Sequence, residues 1–466
     1  MLKKTFVSGI LGFTVLSSLL LAACQATPIE EPVIGKEDGV YEMKLEQART
    51  EEQTQAQDSV DSATPVPSIY IDEKHWTEDI ALKNFTFHID LDVEAPTSGA
   101  FPVYSVTAAD FEDKDERLTR IFDYFLKDVV AMRQGAPTRE DYNKEIEMLL
   151  RGVFDDESGT YIAPNQEEIQ GEIDDLLNAA ASAPAEDEFS PAQSWSNIRI
   201  PSSLAYRLDN QEVWDIQMES TFLRVSKLPI GVIQPERWAL AGTALPNEPA
   251  GTQFHNIKIS QQDAEALVAD FGATIMKGFI ISSIEKGRVV DSLSCETLTE
   301  GWSVECVRSC GDCLPFSYQR YKDGNTLRFT DAAYASSLPL ETVSVFVDET
   351  GIRSFTWMNP LKIEEQATST IELLPFDRAQ EIIRQAIKNS LSWSGDNEHG
   401  SGLGNGKVTR VILSSCYIPQ KDSPDHFYLT PTWFVLLGFD KFLSQGVPEQ
   451  AIAINAVDGS RIEIKS

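Results

Sequence analysis

IKISQQDAEALVADF (Ile257–Phe271) and IELLPFDRAQEIIRQAI (Ile371–Ile387) carry one local pattern twice. Each opens extended, places an Asp in capping position (Asp263, Asp377) and continues as an apolar stripe at helical spacing. Leu267, Val268 and Phe271 mark the first stripe; Ile382, Ile383, Ala386 and Ile387 mark the second. A strand-like run follows each helix, TIMKGFIISS from Thr274 and KVTRVILSS from Lys407. Each unit then closes on a hairpin-like stretch, VSVFVDETGIRSF from Val343 and IAINAVDGSRIEI from Ile452. The helix Asp residues are 114 positions apart, and Asp348 and Asp458 in the hairpins are 110 apart. So steady an offset marks a tandem repeat. Each unit is expected to be one helix on a small antiparallel sheet, the first in residues 250–360 and the second in 361–466.

Upstream, FTFHIDLDV (Phe85–Val93) alternates strictly, as a strand with one buried face does. His88 falls on its polar side with Thr86, Asp90 and Asp92. Phe111, Leu118, Ile121, Phe122, Phe125 and Val129 form a helical stripe, and two further helical patterns run through Tyr142–Phe154 and Glu167–Ala180. Short strand-like runs return near Ile198–Ile200 and Phe222–Val225. Residues 69–245 are therefore grouped as an N-terminal domain, and the fold class expected throughout is α+β.

The N-terminus locates the protein. MLKKTFVSGILGFTVLSSLLLAAC has a positive n-region (Lys3, Lys4), a short apolar run and small residues before Cys24. That order is a secretory signal over residues 1–23. Leu21-Ala22-Ala23-Cys24 resembles the bacterial lipobox, which implies lipidation of Cys24 and a chain held by its lipid to the outer face of the cytoplasmic membrane. Two acyl chains suffice for stable anchoring. Residues 24–68, rich in Glu, Gln, Thr and Ala, read as an acidic flexible stalk reaching roughly 35 Å. The chain has 39 basic and 72 acidic residues, a formal charge of −33. Such a surface repels phosphate backbones, so nucleic acid is excluded as a partner. No EF-hand loop is present to turn the acids toward calcium.

The second unit, with PTWFVLL (Pro431–Leu437) ahead of AINAVDGSRIEI, resembles the PepSY-type and YycH/YycI-type envelope modules, which end in a strand–Asp-Gly–strand hairpin after a helix and an aromatic strand. Lipobox, acidic stalk and repeats together resemble a family of uncharacterised Gram-positive lipoproteins, the domain of unknown function numbered six-oh-three-four. The resemblance covers 255–466 and, loosely, 69–245. Its matching residues (Asp377, Trp433, Asn455, Asp458, Gly459) are structural: cap, core and turn. It implies a binding or regulatory module. Relatives held by a transmembrane helix would signal differently from a chain held by lipid.

Besides Cys24 the chain has Cys295, Cys306, Cys310, Cys313 and Cys416. CVRSCGDC (Cys306–Cys313) has the spacing of an iron–sulfur ligand set, but a radical enzyme needs a reducing cytosol, which the signal contradicts. Zinc held by Cys306, Cys310, Cys313 and a fourth ligand is a fairer rival. Disulfides fit an extracytoplasmic chain better. With a turn at Glu300-Gly301, Thr299 would pair with Trp302 and Cys295 with Cys306; Cys310 and Cys313 would join across Gly311-Asp312. Cys416, after Val411-Ile412-Leu413, then stays free as a small buried residue, although a bond from it to Cys310 or Cys313 is an open alternative.

No catalytic constellation emerges. NEHGSGLGNGK (Asn397–Lys407) fits no phosphate-loop pattern and follows a helix, so it reads as a connecting loop. No G-x-S-x-G elbow occurs, and acid pairs among 72 carboxylates select nothing. Trp302, Trp357, Trp393 and Trp433 read as core before they read as a sugar-stacking face. The leading expectation is a non-enzymatic, cofactor-free module that binds an envelope protein or peptide. A carboxylate-based wall hydrolase and a zinc-stabilised binding module stand as alternatives.

Overall fold

The structure is a computed structural model that describes residues 39–58, 74–82, 85–96, 99–112, 115–134, 138–155, 160–162, 165–183, 189–195, 200, 202–229, 232–235, 254, 256–291, 297–318, 334–336, 340–391, 405–421, 423–443 and 449–464. The signal, Cys24, Cys295 and most of the glycine-rich 397–407 stretch lie outside them.

The described chain starts with helix α1 (Val40–Asp58) and strands β1 (His75–Ala81), β2 (Thr86–Asp92) and β3 (Val103–Ala108). Helix α2 (Glu116–Phe125) leads to β4 (Val129–Gln134). A separate compact unit, residues 137–186, then holds α3 (Arg139–Arg151), the hairpin β5 (Val153–Asp155) and β6 (Thr160–Ile162), and α4 (Gln166–Ser182). Among its described residues, Ile146, Ile173 and Ala180 are the buried apolar ones. The main body resumes with β7 (Ser190–Pro191), β8 (Ser202–Leu208), β9 (Val213–Glu219), β10 (Phe222–Lys227) and β11 (Val232–Pro235). Next come α5 (Gln261–Ile275), β12 (Phe279–Val290), β13 (Thr297–Arg308), β14 (Tyr334–Ser336), β15 (Thr342–Asp348), β16 (Gly351–Met358) and β17 (Leu361–Thr368). The chain ends with α6 (Phe376–Leu391), β18 (Gly406–Gln420), β19 (Ser423–Phe439), α7 (Asp440–Leu443), β20 (Gln450–Asn455) and β21 (Arg461–Ile464).

The fold is α+β, with two large, mostly antiparallel sheets. Both repeats take the same course: a helix, then a four-stranded meander. The first runs α5, β12-β13-β15-β16; the second runs α6, β18-β19-β20-β21. The hairpin acids do the same work in each. Asp348 Oδ1 accepts from the Thr350 amide at 2.8 Å, and Asp458 Oδ1 from the Ser460 amide at 2.9 Å. The helix acids are not the caps. Ser260 caps α5, its hydroxyl accepting from the Asp263 amide at 3.1 Å and donating to Asp263 Oδ2 at 2.6 Å. Asp377 lies inside the first turn of α6, where its charge favours the helix N-terminus.

A third copy appears that the sequence reading did not isolate. Helix α2 is followed by β4, β8, β9 and β10 in an antiparallel meander, interrupted between its first and second strands by the 137–186 unit. Its buried stripe, Leu118, Ile121, Phe122 and Phe125, matches Val268, Phe271, Gly272 and Ile275 of α5, each 150 residues on. Both helices end alike. The Leu126 amide donates to Phe122 O, and the Met276 amide to Gly272 O. The two copies join through their last strands, β10 against β16, with Arg224 opposite Thr356. That junction makes a ten-stranded sheet, β11-β12-β13-β15-β16-β10-β9-β8-β4-β7. Residues of α2 and α5 share one core with it, as in the contact of Phe125 with Phe271 at 5.6 Å between ring centres.

Residues 69–245 are therefore not one domain. Strands β1, β2 and β3 join the sheet of the last repeat, while β4 and β7–β11 join that of the first. The nine-stranded sheet runs β1-β2-β18-β19-β20-β21-β14, with β3 pairing the first half of β19 and carrying β17. Its strands β18 and β19 are apolar on both faces because both are covered. Trp433 packs on Phe376 of α6, and Phe434 packs on Phe316 and Tyr318 from the segment after β13.

The stalk expected over 24–68 also needs correction, since residues 40–58 form a docked helix. Among its described side chains only Tyr41 and Leu45 are deeply buried, which is why composition gave no warning. Polar contacts to backbone supply the rest. Lys44 Nζ donates to Val457 O at 2.6 Å and Arg49 Nε to Ala367 O at 3.0 Å. Glu52 Oε1 accepts from the Ser369 amide and from Thr368 Oγ1, both at 2.6 Å.

Candidate functional site

The CVRSCGDC stretch lies where the two sheets meet, and the structure divides it. Cys306 is on β13 opposite Ile281 and Val343, in the core of the ten-stranded sheet. After Arg308 the strand ends and the chain crosses to the nine-stranded sheet, whose core takes Cys310, Cys313 and Cys416. The three motif cysteines thus do not converge, which removes the geometric basis for a cluster or zinc site built on them. Among the described residues no group of three His, Cys, Asp or Glu side chains is placed to hold a metal.

The expected hairpin around Glu300-Gly301 is also absent. Both residues lie inside β13, Gly301 pairs with Gly287, and its missing Cβ matters because one would stand 2.0 Å from Val347 O. A turn there was the only reason to set Cys295 opposite Cys306. In the actual register Thr297 and Cys306 sit nine residues apart on one extended strand, roughly 30 Å, so a Cys295–Cys306 bond loses its support. Cys306, Cys310, Cys313 and Cys416 are all present as buried thiols.

Cys310 and Cys313 are neighbours, the Cys313 thiol sharing a hydrogen bond with that of Cys310. The turn between them is clamped to residues 99–102. The Asp312 amide donates to Ala100 O at 3.0 Å, the Ala100 amide donates to Asp312 Oδ2 at 2.7 Å, and Cys310 Sγ lies 3.4 Å from Pro102 O. Gly311 adopts φ +56°, and a Cβ on it would meet Pro102 Cδ at 2.2 Å. A redox-active C-x-x-C requires an accessible thiol of lowered pKa. Here the hydrogen bond that the Cys313 thiol donates to Cys310, together with burial, pushes Cys313 well above its ordinary value. Burial pushes Cys306 and Cys416 up to about 12. The arrangement is that of structural, unreactive cysteines.

Beside this turn lies a cavity of about 30 Å³ lined by Arg308, Cys310, Cys313, Tyr318, Glu341 and Tyr417, among others. A cavity needs about 10–15 Å³ to hold one water, so this one takes a water or two and no substrate. Its charged wall is already satisfied. Arg308 grips Glu341 with two bonds of 2.7 Å, and Glu341 Oε1 also accepts from Trp357 Nε1 at 3.1 Å and the Leu361 amide at 3.0 Å. Glu341 thereby ties β13 and β16 of one sheet to β17 of the other. Trp357 and Trp433 are buried in different cores, and Trp302 donates to Ile259 O at 2.9 Å, so no sugar-stacking row forms; Trp393 lies outside the described residues.

The accessible candidate is the β1–β2 edge. Trp76 and Ile80 face the core, and the alternating His75, Thr77, Asp79 and Ala81 are exposed. The Val93 amide donates to Lys74 O and the Leu82 amide to Phe85 O, so even-numbered backbone groups point toward β2. The odd-numbered N–H and C=O groups of residues 75–81 therefore point outward, and no described strand pairs with them. The exposed face carries two histidine–carboxylate sets: His75 Nδ1 with Asp92 at 2.8 Å and Nε2 with Asp90 at 3.0 Å, and His88 Nδ1 with Asp79 at 2.6 Å. The hydrogen bond to Asp92 raises the His75 pKa, with the charges of Asp92 and Asp90 adding to it. The alternation of FTFHIDLDV announced this face, but nothing local announced that β1 would be its open edge.

No family model matches the chain, and no curated protein matches it. Among solved structures, this chain is similar to an uncharacterised protein from Eubacterium rectale, at 11% identity and a TM-score of 0.44, with 84% of this chain and 96% of that one covered.

Proposed function

We propose that this is a lipoprotein, lipid-anchored on the outer face of the cytoplasmic membrane, that binds an extended segment of an envelope protein or peptide, without catalysis of its own. The lipobox-like ending at Cys24 and the resemblance to PepSY-type and YycH/YycI-type modules support the location and the class. The observation that carries the binding mode is the seven-residue β1, whose outward backbone groups at its odd positions pair with no described strand. An extended peptide adds to such an edge through main-chain bonds and gains specificity from alternate side chains. Asp79, Asp90 and Asp92 on the exposed face favour a basic segment. The raised carboxylates that would favour a hydrolase, Asp215 and Asp458, lie on different sheets, and Asp458 is spent on its turn.

An array of extended seven-residue peptides with basic residues at alternate positions tests this. Thr77→Pro and Asp79→Pro each delete an outward donor and leave the bonds to β2 intact, because Pro is tolerated on an edge strand with its nitrogen toward solvent. Sequence-dependent binding is expected, weakened about tenfold or more by either proline, one lost hydrogen bond to a desolvated partner being worth that much. Binding indifferent to both prolines, or to peptide charge, would sink the reading. Cys24→Ala should release the protein from membranes in fractionation.

A further inference from the structure

The 137–186 unit carries more charge and more exposed apolar surface than its size accounts for. It holds thirteen acidic and three basic residues, a formal charge of −10 against −33 for the whole chain of 466. Among the described residues eight large apolar side chains are exposed, and three of them, Met148, Leu150 and Leu177, lie here at 45%, 46% and 50%. A single exposed leucine is ordinary. Leu150 and Leu177, however, stand in a fixed relation to each other.

Helices α3 and α4 are antiparallel, since Arg139 Nε at the start of α3 donates to Ala180 O near the end of α4 at 3.3 Å. Each turns a buried isoleucine inward, Ile146 on α3 and Ile173 on α4, and neither belongs to the cores of the two sheets. Leu150 follows Ile146 by four residues and Leu177 follows Ile173 by four. Each leucine therefore stands about 40° around its helix from the inward residue, in the same sense. Facing antiparallel helices are related by a two-fold axis normal to their common plane, which keeps each side of the pair on itself. Equal rotations thus bring both leucines to one side. With Arg139 beside Ala180, Leu177 falls level with the start of α3 and Leu150 lies near its end, about 12 Å away along the axis. Between them runs a groove floored by Ile146 and Ile173. Glu147 and Asp174, one residue after each isoleucine, stand about 100° round in the same sense and edge the groove as exposed acids. Met148 is about 200° from Ile146, on the opposite face.

We propose that this groove is the docking site for one basic amphipathic helix of a partner protein, seated through apolar residues two turns apart. About 12 Å is the rise of roughly seven to eight helical residues, so partner side chains at i and i+7 reach both leucines. Those at i+3 or i+4 then sit over Ile146 and Ile173, the spacing by which a helix is read in a groove. Charge selects the occupant. The rim acids and the unit's charge of −10 attract lysine and arginine flanking such an apolar stripe. The same charge repels a second copy of this chain and an anionic lipid surface alike. The site shares no residue with the β1 edge, and it takes a helix where that edge takes an extended strand.

Fluorescence anisotropy of a labelled synthetic helix, titrated with the intact, detergent-purified protein against a detergent-only baseline, tests the site. The probe is a peptide of about eighteen residues built on the repeat Leu-Lys-Lys-Leu-Leu-Lys-Lys, which places leucine at i, i+3, i+4 and i+7. Its control is the same peptide with glutamate for lysine. Saturable binding of the lysine peptide is expected, weakening as salt rises. Leu150→Asp and Leu177→Asp should each weaken it about tenfold or more. Both add negative charge, so attraction for a cation alone would hold or tighten the binding, and a loss is specific to the groove. Leu150→Met should keep the affinity, as should Met148→Asp, the charge change on the opposite face. Glu147→Gln with Asp174→Asn should weaken binding several-fold and flatten its salt dependence. No saturable binding of the lysine peptide, equal binding of the glutamate peptide, unchanged affinity in both leucine-to-aspartate variants, or an equal loss in Met148→Asp would overturn the proposal.

Discussion

Glu341 shows what a single residue does in this molecule. Its side chain is 1% exposed and receives four bonds, from Arg308, Trp357 Nε1 and the Leu361 amide. Removing one member of a buried pair strands the other, at about 3–5 kcal/mol. Glu341→Gln is expected to cost that much in urea unfolding, whereas Glu341→Leu with Arg308→Met should recover a good part of it. Gly311→Ala forces a side chain into a left-handed residue already against Pro102, and should cost more than about 1 kcal/mol. The thiols give a third check. Cys306 and Cys416, buried with pKa pushed up to about 12, should resist alkylation at pH 8 in the native protein and label on denaturation, as read by mass spectrometry. Residues of this kind were legible where their work is local. Asp348 and Asp458 announce their turns through Thr350 and Ser460 two positions on, but Glu341 serves partners on three strands that no spacing connects.

At the scale of elements, α1 is held more by polar contacts than by packing, so its docking responds to pH. Burial alone would raise the Glu52 carboxyl, but the hydrogen bonds from Ser369, Thr368 and Thr370 outweigh it and hold it below the usual 4.5. A lowered folded-state pKa gives stability that is full above the unfolded value and lost as pH falls through the folded one. Hydrogen exchange of the α1 amides, corrected for intrinsic rates, should therefore accelerate as pH drops below about 4.5, and Glu52→Gln should flatten that dependence while speeding exchange at pH 7. The helices with wide apolar stripes, α5 and α6, were readable from sequence. Helix α1 was not, because its anchors are Tyr41, Leu45 and contacts to distant backbone. The first helix–meander copy escaped for another reason: the 137–186 unit separates β4 from β8 and destroys the spacing that exposed the other two.

For the whole molecule, the strand exchange between chain segments decides what can be cut. Strand β10 completes the sheet of one repeat at β16, and β3 completes that of the other at β17 and β19. A fragment of residues 250–466, which the sequence suggested as two self-standing repeats, would expose those edges. It should lack the near-ultraviolet circular dichroism of the intact protein and aggregate. The 137–186 unit is the opposite case. It leaves and rejoins the sheet at neighbouring strands, since Met132 pairs with Ser190. Deleting it leaves seven residues, 133–136 and 187–189, between the paired Met132 and Ser190, a short enough span for a surface connection. The shortened protein should melt cooperatively within a few degrees of the original.

The docking of α1 also sets a leash. With lipid on Cys24 as proposed, the body is fastened not at residue 69 but at Gly39, where the described chain begins against α1. Fifteen peptide units can span at most about 54 Å, against about 160 Å for the forty-five to residue 69. The space the binding edge can sweep around its anchor shrinks with the cube of that length, about 27-fold, and the effective concentration of a membrane-held partner rises in proportion. On the proposed anchoring and binding mode, partners beyond that radius are out of reach, and those rooted in the same bilayer meet this protein at concentrations that make weak strand pairing sufficient.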